Sequence, residues 1–540
     1  MTEPTLLPLL RGRKISLDDA LKSDLNVLVQ LKWRDELVEF CRFLHKNLSE
    51  IAEVVSRHLG ISKSDLEIAE FKEWRHGTFN TCVPVQIKGH PSLPRRVMIR
   101  FPQPFKVGET FNPGNVDEKL RCEAATYIWL RKNCPTIPIP RLLAMGFPGM
   151  QSFTTLENVS FWNRLIWYCQ RLWLGQELSP YVSHRRRNLP GVGYLIIEYV
   201  EKGSMLSETW PEQSDDPKRR ENLFRGLSQT LLSLAKIPLP KIGSWTINDS
   251  GIIALTNRPL SLLLHEFESH EIPTNIPRDL TYYSIEPWVL DMLACQDSRM
   301  RQQPNAIHSD SDGCTQLGAL TALRGLLMNL VDRRARGGPF VLSLTDLHAS
   351  NIFVDSDWNI TCIIDLEFAC VLPIQMVTVP HWLNNRGIDQ ITDSHFEEYK
   401  ILYDEFVAAM EYEEDRQQLV SAQGDTLHSQ RLRKSWETGS FWYSHALTSV
   451  NAFPALFDVH IAPRFGGVLS FAADQLLSKF WSDDAMGFIT EKIEDQERYN
   501  ARIREIFAKA SQKSGTASTV EGDVPEKDEP NHDHAPSVAE

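Results

Sequence analysis

Val341–Leu372 reads VLSLTDLHASNIFVDSDWNITCIIDLEFACVL. An apolar run, Phe340 to Leu344, delivers Asp346, and Asn351 follows five positions later to open a second apolar run, Ile352 to Val354. Asp355, Ser356, Asp357 and Asn359 supply turn chemistry, and Ile360 to Ile364 reads as the returning strand with Asp365 at its end. One short hairpin therefore draws a loop Asp, a loop Asn and a strand-end Asp together.

Phosphoryl transfer asks for that set. It needs a carboxylate beside the attacking hydroxyl and hard oxygen ligands for Mg²⁺ on the nucleotide phosphates. Protein kinases supply these from a catalytic-loop Asp, an Asn five residues on and a later strand-end Asp. Asp346, Asn351 and Asp365 have nearly that spacing. The plainer reading is a buried hairpin with polar turns, since Asp and Asn are common loop residues. Against it, Asp346 and Asp365 sit at the ends of apolar runs, where an unpaired carboxylate is costly.

The stretch resembles the catalytic segment of the aminoglycoside phosphotransferase and choline kinase-like families, and most closely the large fungal group of aminoglycoside phosphotransferase-domain proteins. By that resemblance Asp346 is the catalytic Asp, and Asn351 and Asp365 are metal ligands. Asp365-Leu366-Glu367 replaces the protein-kinase Asp-Phe-Gly, its Glu being similar to the choline kinase version. Leu344 and Thr345 stand where His-Gly usually precede the Asp.

The 540 residues suffice for a two-lobed core plus additions, with a globular balance of 42% hydrophobic and 24% charged residues. A net charge of -13 argues against general nucleic-acid binding. No apolar run approaches the roughly eighteen residues of a membrane helix, so neither nucleic acid nor membrane is expected as a partner. The opening MTEPTLLPLLRGRK lacks the pattern of a secretory signal. Nine scattered cysteines give no metal spacing and no evident disulfide framework, and a reducing, cytoplasmic setting is the default.

From Ser16 to about Gly60 the apolar positions recur at helical spacing, with Ser16 or Asp18 as the first cap. Residues 1–64 are expected as a helical extension packed on the first lobe. Leu66 to Trp74 and Thr81 to Ile87 read as strands around His76-Gly77-Thr78-Phe79-Asn80, where a glycine lets the backbone approach phosphate oxygens and turn tightly. Gly77, Thr78 and Asn80 are candidate nucleotide contacts, though one glycine between strands is also an ordinary hairpin. A third strand, Arg96 to Phe101, carries Arg100, and a helix over Asn115 to Asn133 carries Glu123.

A strand cation paired with a helix glutamate holds the α- and β-phosphates in kinase-like first lobes, and Arg100 and Glu123 fit those places. Arg100 stands where many kinases have Lys, and its guanidinium is a planar, permanently charged fork. An ordinary ion pair is the alternative. Residues from about 146 to 191, rich in Trp, Tyr and Arg, read as an insertion with the basic tip His184-Arg185-Arg186-Arg187. The strand from Gly193 to Val200 resembles the hinge between lobes, whose backbone at Glu198 and Val200 would meet adenine.

Asp389 to Asp415 reads as a helix with an acidic face, which is a solvated surface or, as in the antibiotic kinases, a contact for a cationic substrate. Trp436, Phe441, Trp442 and Tyr443 read as core. The segment from Ser511 is acidic and almost without apolar residues, and should be disordered.

The expected fold is α+β, protein kinase-like and two-lobed, with a small β-rich lobe over 65–202 and a larger, mainly helical lobe over 203–510. The expected function is ATP- and Mg²⁺-dependent transfer of a phosphoryl group to a small-molecule hydroxyl. His348 lies where protein kinases carry a catalytic-loop Lys, so it either reaches the γ-phosphate or packs. The alternative is a binding protein that keeps the fold without turnover, for which Leu344, Thr345 and Arg100 speak. A protein kinase is disfavoured, since no Ala-Pro-Glu-like sequence follows Asp365-Leu366-Glu367.

Overall fold

A β-hairpin, β1 (Leu6–Pro8) with β2 (Lys14–Ser16), precedes α1 (Leu17–Lys22), whose N-terminus is capped by Ser16 through the Asp19 N–H. The computed structural model describes residues 5–174, 178–185, 189, 191–419, 426–467 and 469–517. The helical extension is three helices: α1, α2 (Val27–Lys46) and α3 (Leu48–Leu59). Asn47 makes the second break, donating its side-chain amide to Phe43 O at 2.7 Å in competition with the helix backbone.

The first lobe is one antiparallel sheet. It comprises β3 (Leu66–Ile68), β4 (Arg75–His76), β5 (Asn80–Ile87), β6 (Arg96–Pro102), β7 (Leu142–Gly146), β8 (Gln151–Thr155), β9 (Tyr181–Arg185) and β10 (Tyr194–Glu198). The order is β3-β5-β6-β10-β7-β8-β9, with β4 on β5. The strand expected over Leu66–Trp74 is interrupted by a 3-10 turn at Phe71–Glu73, which the Trp74 indole braces by donating to Ala69 O at 3.1 Å. α4 (Asn115–Asn133) matches its expected bounds and lies beneath the sheet with most of its length buried. The insertion adds β8 and β9 to the sheet edge, with α5 (Phe161–Leu174) between them. α3 and the end of α2 cover the other face, where Leu44, Ile51, Val55 and Leu59 pack against Val83, Val97, Ile99 and Ile196.

The chain crosses to the second lobe at Gly203, where φ is 84° and a Cβ would lie 2.6 Å from Val354 O, so only glycine fits. There follow β11 (Ser204–Met205), α6 (Trp210–Gln213), α7 (Pro217–Ala235), β12 (Ser244–Ile247), β13 (Ile253–Asn257), α8 (Leu262–Ser269), α9 (Ile285–Gln302) and α10 (Asp310–Leu330). α10 begins at Asp310, where Ser309 caps it through the Asp312 N–H. The catalytic stretch forms β14 (Phe340–Leu344), β15 (Ile352–Val354), β16 (Ile360–Ile363) and β17 (Ala369–Pro373).

Among the described residues, six α-helices complete the lobe: α11 (Asp393–Arg416), α12 (His428–Thr438), α13 (Ser440–Thr448), α14 (Phe453–Leu456), α15 (Phe471–Trp481) and α16 (Ala485–Ala517). Phe441, Trp442 and Tyr443 are buried, as expected of core. The expected tail from Ser511 overlaps α16, which continues to Ala517; the rest of it, 518–540, lies outside the described residues, as do Arg186 and Arg187 of the basic tip.

α8 buries His265 against the edge of Phe368, with neither ring nitrogen hydrogen-bonded. Burial pushes its pKa down from 6.5 to about 4. Between those values the unfolded chain holds a proton that the folded chain does not, so stability rises with pH by about 1.4 kcal/mol per unit. Replacing His265 by Leu should remove that slope. Urea midpoints of both chains, compared at pH 7 and pH 5, check it; parallel shifts in the two would contradict the assignment.

Candidate active site between the lobes

β14 pairs with β17 from Phe340–Pro373 to Leu344–Ala369, and the ladder ends just before Asp346. Thr345 Oγ1 ties the turn to Phe368 O at 2.6 Å, and the Trp382 indole donates to Leu347 O at 2.9 Å. β15 pairs with β16, and the Ile364 N–H donates to Asn351 O at 2.9 Å, so Asp365 is delivered next to Asn351. Asn351 is buried, and its Nδ2 donates to Asp346 O at 2.8 Å and to Asp346 Oδ2 at 3.3 Å. Asp346, Asn351 and Asp365 thus share one surface, as the hairpin reading expects.

His348 lies beside them, its Nε2 3.6 Å from Asp346 Oδ1. Its Nδ1 accepts from the Ser350 N–H at 3.2 Å, which leaves the proton of a neutral ring on Nε2, facing the carboxylate. Burial lowers its pKa, against the opposing pull of Asp365, and keeps the ring neutral near pH 7.

Above this floor Arg100 on β6 donates to Glu123 on α4 at 2.9 Å. The same guanidinium pairs with Asp365 and lies 3.4 Å from Glu367. Lys119, one turn before Glu123, is 2.5 Å from Glu367 and 3.6 Å from Glu123. The Asn80 amide bridges the group, donating to Glu367 at 2.6 Å and accepting from Lys119 at 3.0 Å. Side-chain exposure is 31% at Asp365 against 1% at Glu123 and 3% at Glu367, so Asp365 is the carboxylate of this cluster that opens to the cleft. Burial raises the pKa of Glu123, with Arg100 and Lys119 opposing; for Arg100 burial works downward and is outweighed by Asp365 and Glu123.

Arg100 and Glu123 pair as their order along the chain predicts; Lys119 and the contacts of Glu367 enter the site only through the fold. The signal for Lys119 was its i,i+4 spacing from Glu123 on one helix face. Asn80, expected at phosphates, has its side chain committed to this cluster. Gly77 also differs from expectation: a Cβ there would make an ordinary 3.6 Å contact with Asn80 O, so the turn does not demand glycine.

Gly77, Thr78, Arg100, Val200, Asp346 and Asp365 all line one cavity of about 1880 Å³ between the lobes. Glu198 lines it too, although its N–H is bonded to Arg141 O at 2.9 Å. Glu123 stands behind Arg100. The β1–β2 hairpin contributes Arg11, unforeseen from sequence, whose guanidinium meets the Thr78 hydroxyl at the cavity wall. The acidic helix α11 does not line the cavity. Glu405 pairs with Arg220, Glu411 with Arg433 and Glu413 with Arg225, while Glu414 accepts from the His428 N–H at the start of α12. Glu413 and Glu414 are buried and serve packing, while Glu397, Glu398, Glu411 and Asp415 are exposed and give the helix the solvated acidic face expected of it.

A family model described as the phosphotransferase enzyme family, APH, matches residues 97–376, just over half of the chain. The chain belongs to that family. The matched part of this phosphotransferase runs from the strand of Arg100 past β17, and takes in the catalytic stretch whole. Membership bears out the expected kinase-like α+β fold and the expected transfer to a hydroxyl. Among solved structures, a macrolide 2'-phosphotransferase type I is similar at 12% identity over 72% of this chain and 86% of that one, with a TM-score of 0.31. No curated protein matches.

Removing one partner from a buried ion cluster strands a charge and costs about 3–5 kcal/mol. Lys119→Met should lower stability by that amount, read as a lower urea midpoint; an unchanged midpoint would show that the cluster does not bear on the fold.

Proposed function

We propose that this phosphotransferase is an ATP- and Mg²⁺-dependent kinase that moves the γ-phosphate to a hydroxyl of a small molecule. The observation that carries the reading is the meeting of Asp346, Asn351 and Asp365 on one cavity wall, with Arg100 held above them by Glu123. Asp346 orients the acceptor hydroxyl and takes its proton. The Nε2–H of His348 faces that carboxylate and steadies its orientation. Arg100 steadies the α- and β-phosphates, with Glu123 fixing its fork.

The donor set fits Mg²⁺. Asn351 turns its Nδ2 to Asp346, leaving Oδ1 as a hard oxygen donor, and Asp365 presents a carboxylate to the cleft. Bound there, the ion would neutralise charge on the phosphates. Among the described residues no three His, Cys, Asp or Glu side chains form a ready metal cage, which suits an ion completed by phosphates and water. Thr78 at the loop and Val200 at the hinge would flank the nucleotide. Nine free cysteines suit a reducing cytoplasm.

One observation favours a second reading, nucleotide binding without turnover: Arg100 is paired with Asp365, the proposed metal ligand. Two measurements separate the readings. Calorimetry should show ATP binding that requires Mg²⁺ in the native chain and is lost in Asp365→Ala. Asp346→Ala should keep that binding and its melting temperature while transfer falls by about 10²- to 10⁴-fold. Undiminished turnover in Asp346→Ala would sink the assignment, and metal-indifferent binding would favour the second reading.

A further inference from the structure

The chain enters the cleft well before residue 97, where the family match begins: the tip of the β1–β2 hairpin gives Leu9, Leu10, Arg11 and Arg13 to the cavity wall. Pairing runs from Leu6–Ser16 to Pro8–Lys14, and the Leu9 N–H donates to Arg13 O at 2.7 Å, so the turn is short and closed. Arg11 stands in that turn with φ 58° and ψ 40°. A side-chain-bearing residue adopts this left-handed backbone only at a cost, and such conformations gather at ligand clamps.

The base of the hairpin is fixed to the second lobe. Ile15 of β2 is buried with Ala20 and Val27 against Tyr499, Ile503 and Phe507 of α16. The tip meets the first lobe, where the Arg11 guanidinium donates to the Thr78 hydroxyl, on the loop that the reading above sets beside the nucleotide. The catalytic loop is its other neighbour. Burial lowers the pKa of His348, Asp365 opposes that, and the Arg11 charge adds to the fall, so the guanidinium lies within electrostatic reach of the ring. His348 Nε2 is in turn 3.6 Å from Asp346 Oδ1. A cation between the nucleotide loop and the catalytic carboxylate stands where the last phosphate must come to face an acceptor hydroxyl. Arg100 is engaged elsewhere, held by Glu123 and Asp365, and His348 is neutral near pH 7. Arg11 brings a permanent charge to that end, in a planar fork that matches phosphate oxygens.

We propose that Arg11 binds the γ-phosphate of ATP, which makes the N-terminal hairpin a working part of the site and gives the chain a preference for triphosphate over diphosphate. This rests on the kinase reading above and adds to it a phosphate contact from outside the matched residues.

The test is calorimetry of ATP and of ADP, each with Mg²⁺ and without an acceptor, on the full chain. Arg11→Ala should bind ATP at least about tenfold more weakly, as the loss of a charge-assisted hydrogen bond implies, while ADP affinity stays within about twofold of native. Arg11→Lys should recover part of the loss, since it keeps the charge without the fork. Lys14→Ala removes a charge from the same hairpin outside the cavity wall and should leave both affinities unchanged. Misfolded chain would lower both binding signals alike, so the ratio of the two affinities carries the result. Equal losses for ATP and ADP, no loss, or an equal loss in Lys14→Ala would overturn the proposal. So would tighter binding by Arg11→Ala, since the hairpin would then be blocking the cleft. Each of these outcomes leaves the kinase reading standing, whereas a native chain that binds neither nucleotide overturns both.

Discussion

Two cations and three carboxylates meet in one largely buried volume: Arg100, Lys119, Glu123, Asp365 and Glu367. Taking one ion out of water costs several kcal/mol, and only close pairing offsets it. Their positions are therefore mutually dependent. They lie on β6, on α4 and on the segment after β16, so satisfying the charges fixes the distance between sheet, helix and catalytic hairpin. Asp365 shows the demand most directly. Its φ of 56° is a left-handed backbone that a non-glycine residue adopts at a cost of about 1–3 kcal/mol, and the pairing with Arg100 helps hold it there.

α4 is held from its other side as well. Glu118 accepts from Arg258 at 2.9 Å and from Arg278 at 3.1 Å, and Asn115 donates to Glu268 at 2.7 Å. Arg258 itself is buried and pairs with Glu268 at 2.8 Å. The N-terminal turn of α4 is thereby bound to the second lobe, while its next turn carries Lys119 and Glu123. The glutamate that orients Arg100 is fixed by charges from both lobes.

What was legible in the sequence was local. The hairpin, its turn and the bounds of α4 follow from apolar period and turn chemistry over a few residues, and the order of Arg100, Glu123 and Asp365 along the chain suggested the cleft. The partners of each charge were not legible, because pairing is tertiary. Lys119 looked like any helix lysine, and Asn80 like a loop residue near phosphate, until Glu367 stood opposite both. Glu413 was not legible as buried for the same reason: its partner Arg225 comes from α7, distant in sequence.

α2 touches both lobes. Its first residue, Val27, donates its N–H to the Tyr499 hydroxyl on α16 at 2.9 Å, and its last turn, with Leu44, packs on the first-lobe sheet. At 1.5 Å per residue its twenty residues make a rod of about 30 Å. Midway, Trp33 lines the cavity under the Lys106 ammonium, 3.8 Å from the ring centroid. Two bodies joined by a flexible crossing alone can swing in many directions. With a rigid tie-rod bolted to each, the linkage keeps chiefly a twist about the rod, and wide gaping would require unbolting one end. Entry to the cleft is then governed by the open flank, and the extension before the first lobe acts as the frame of the machine.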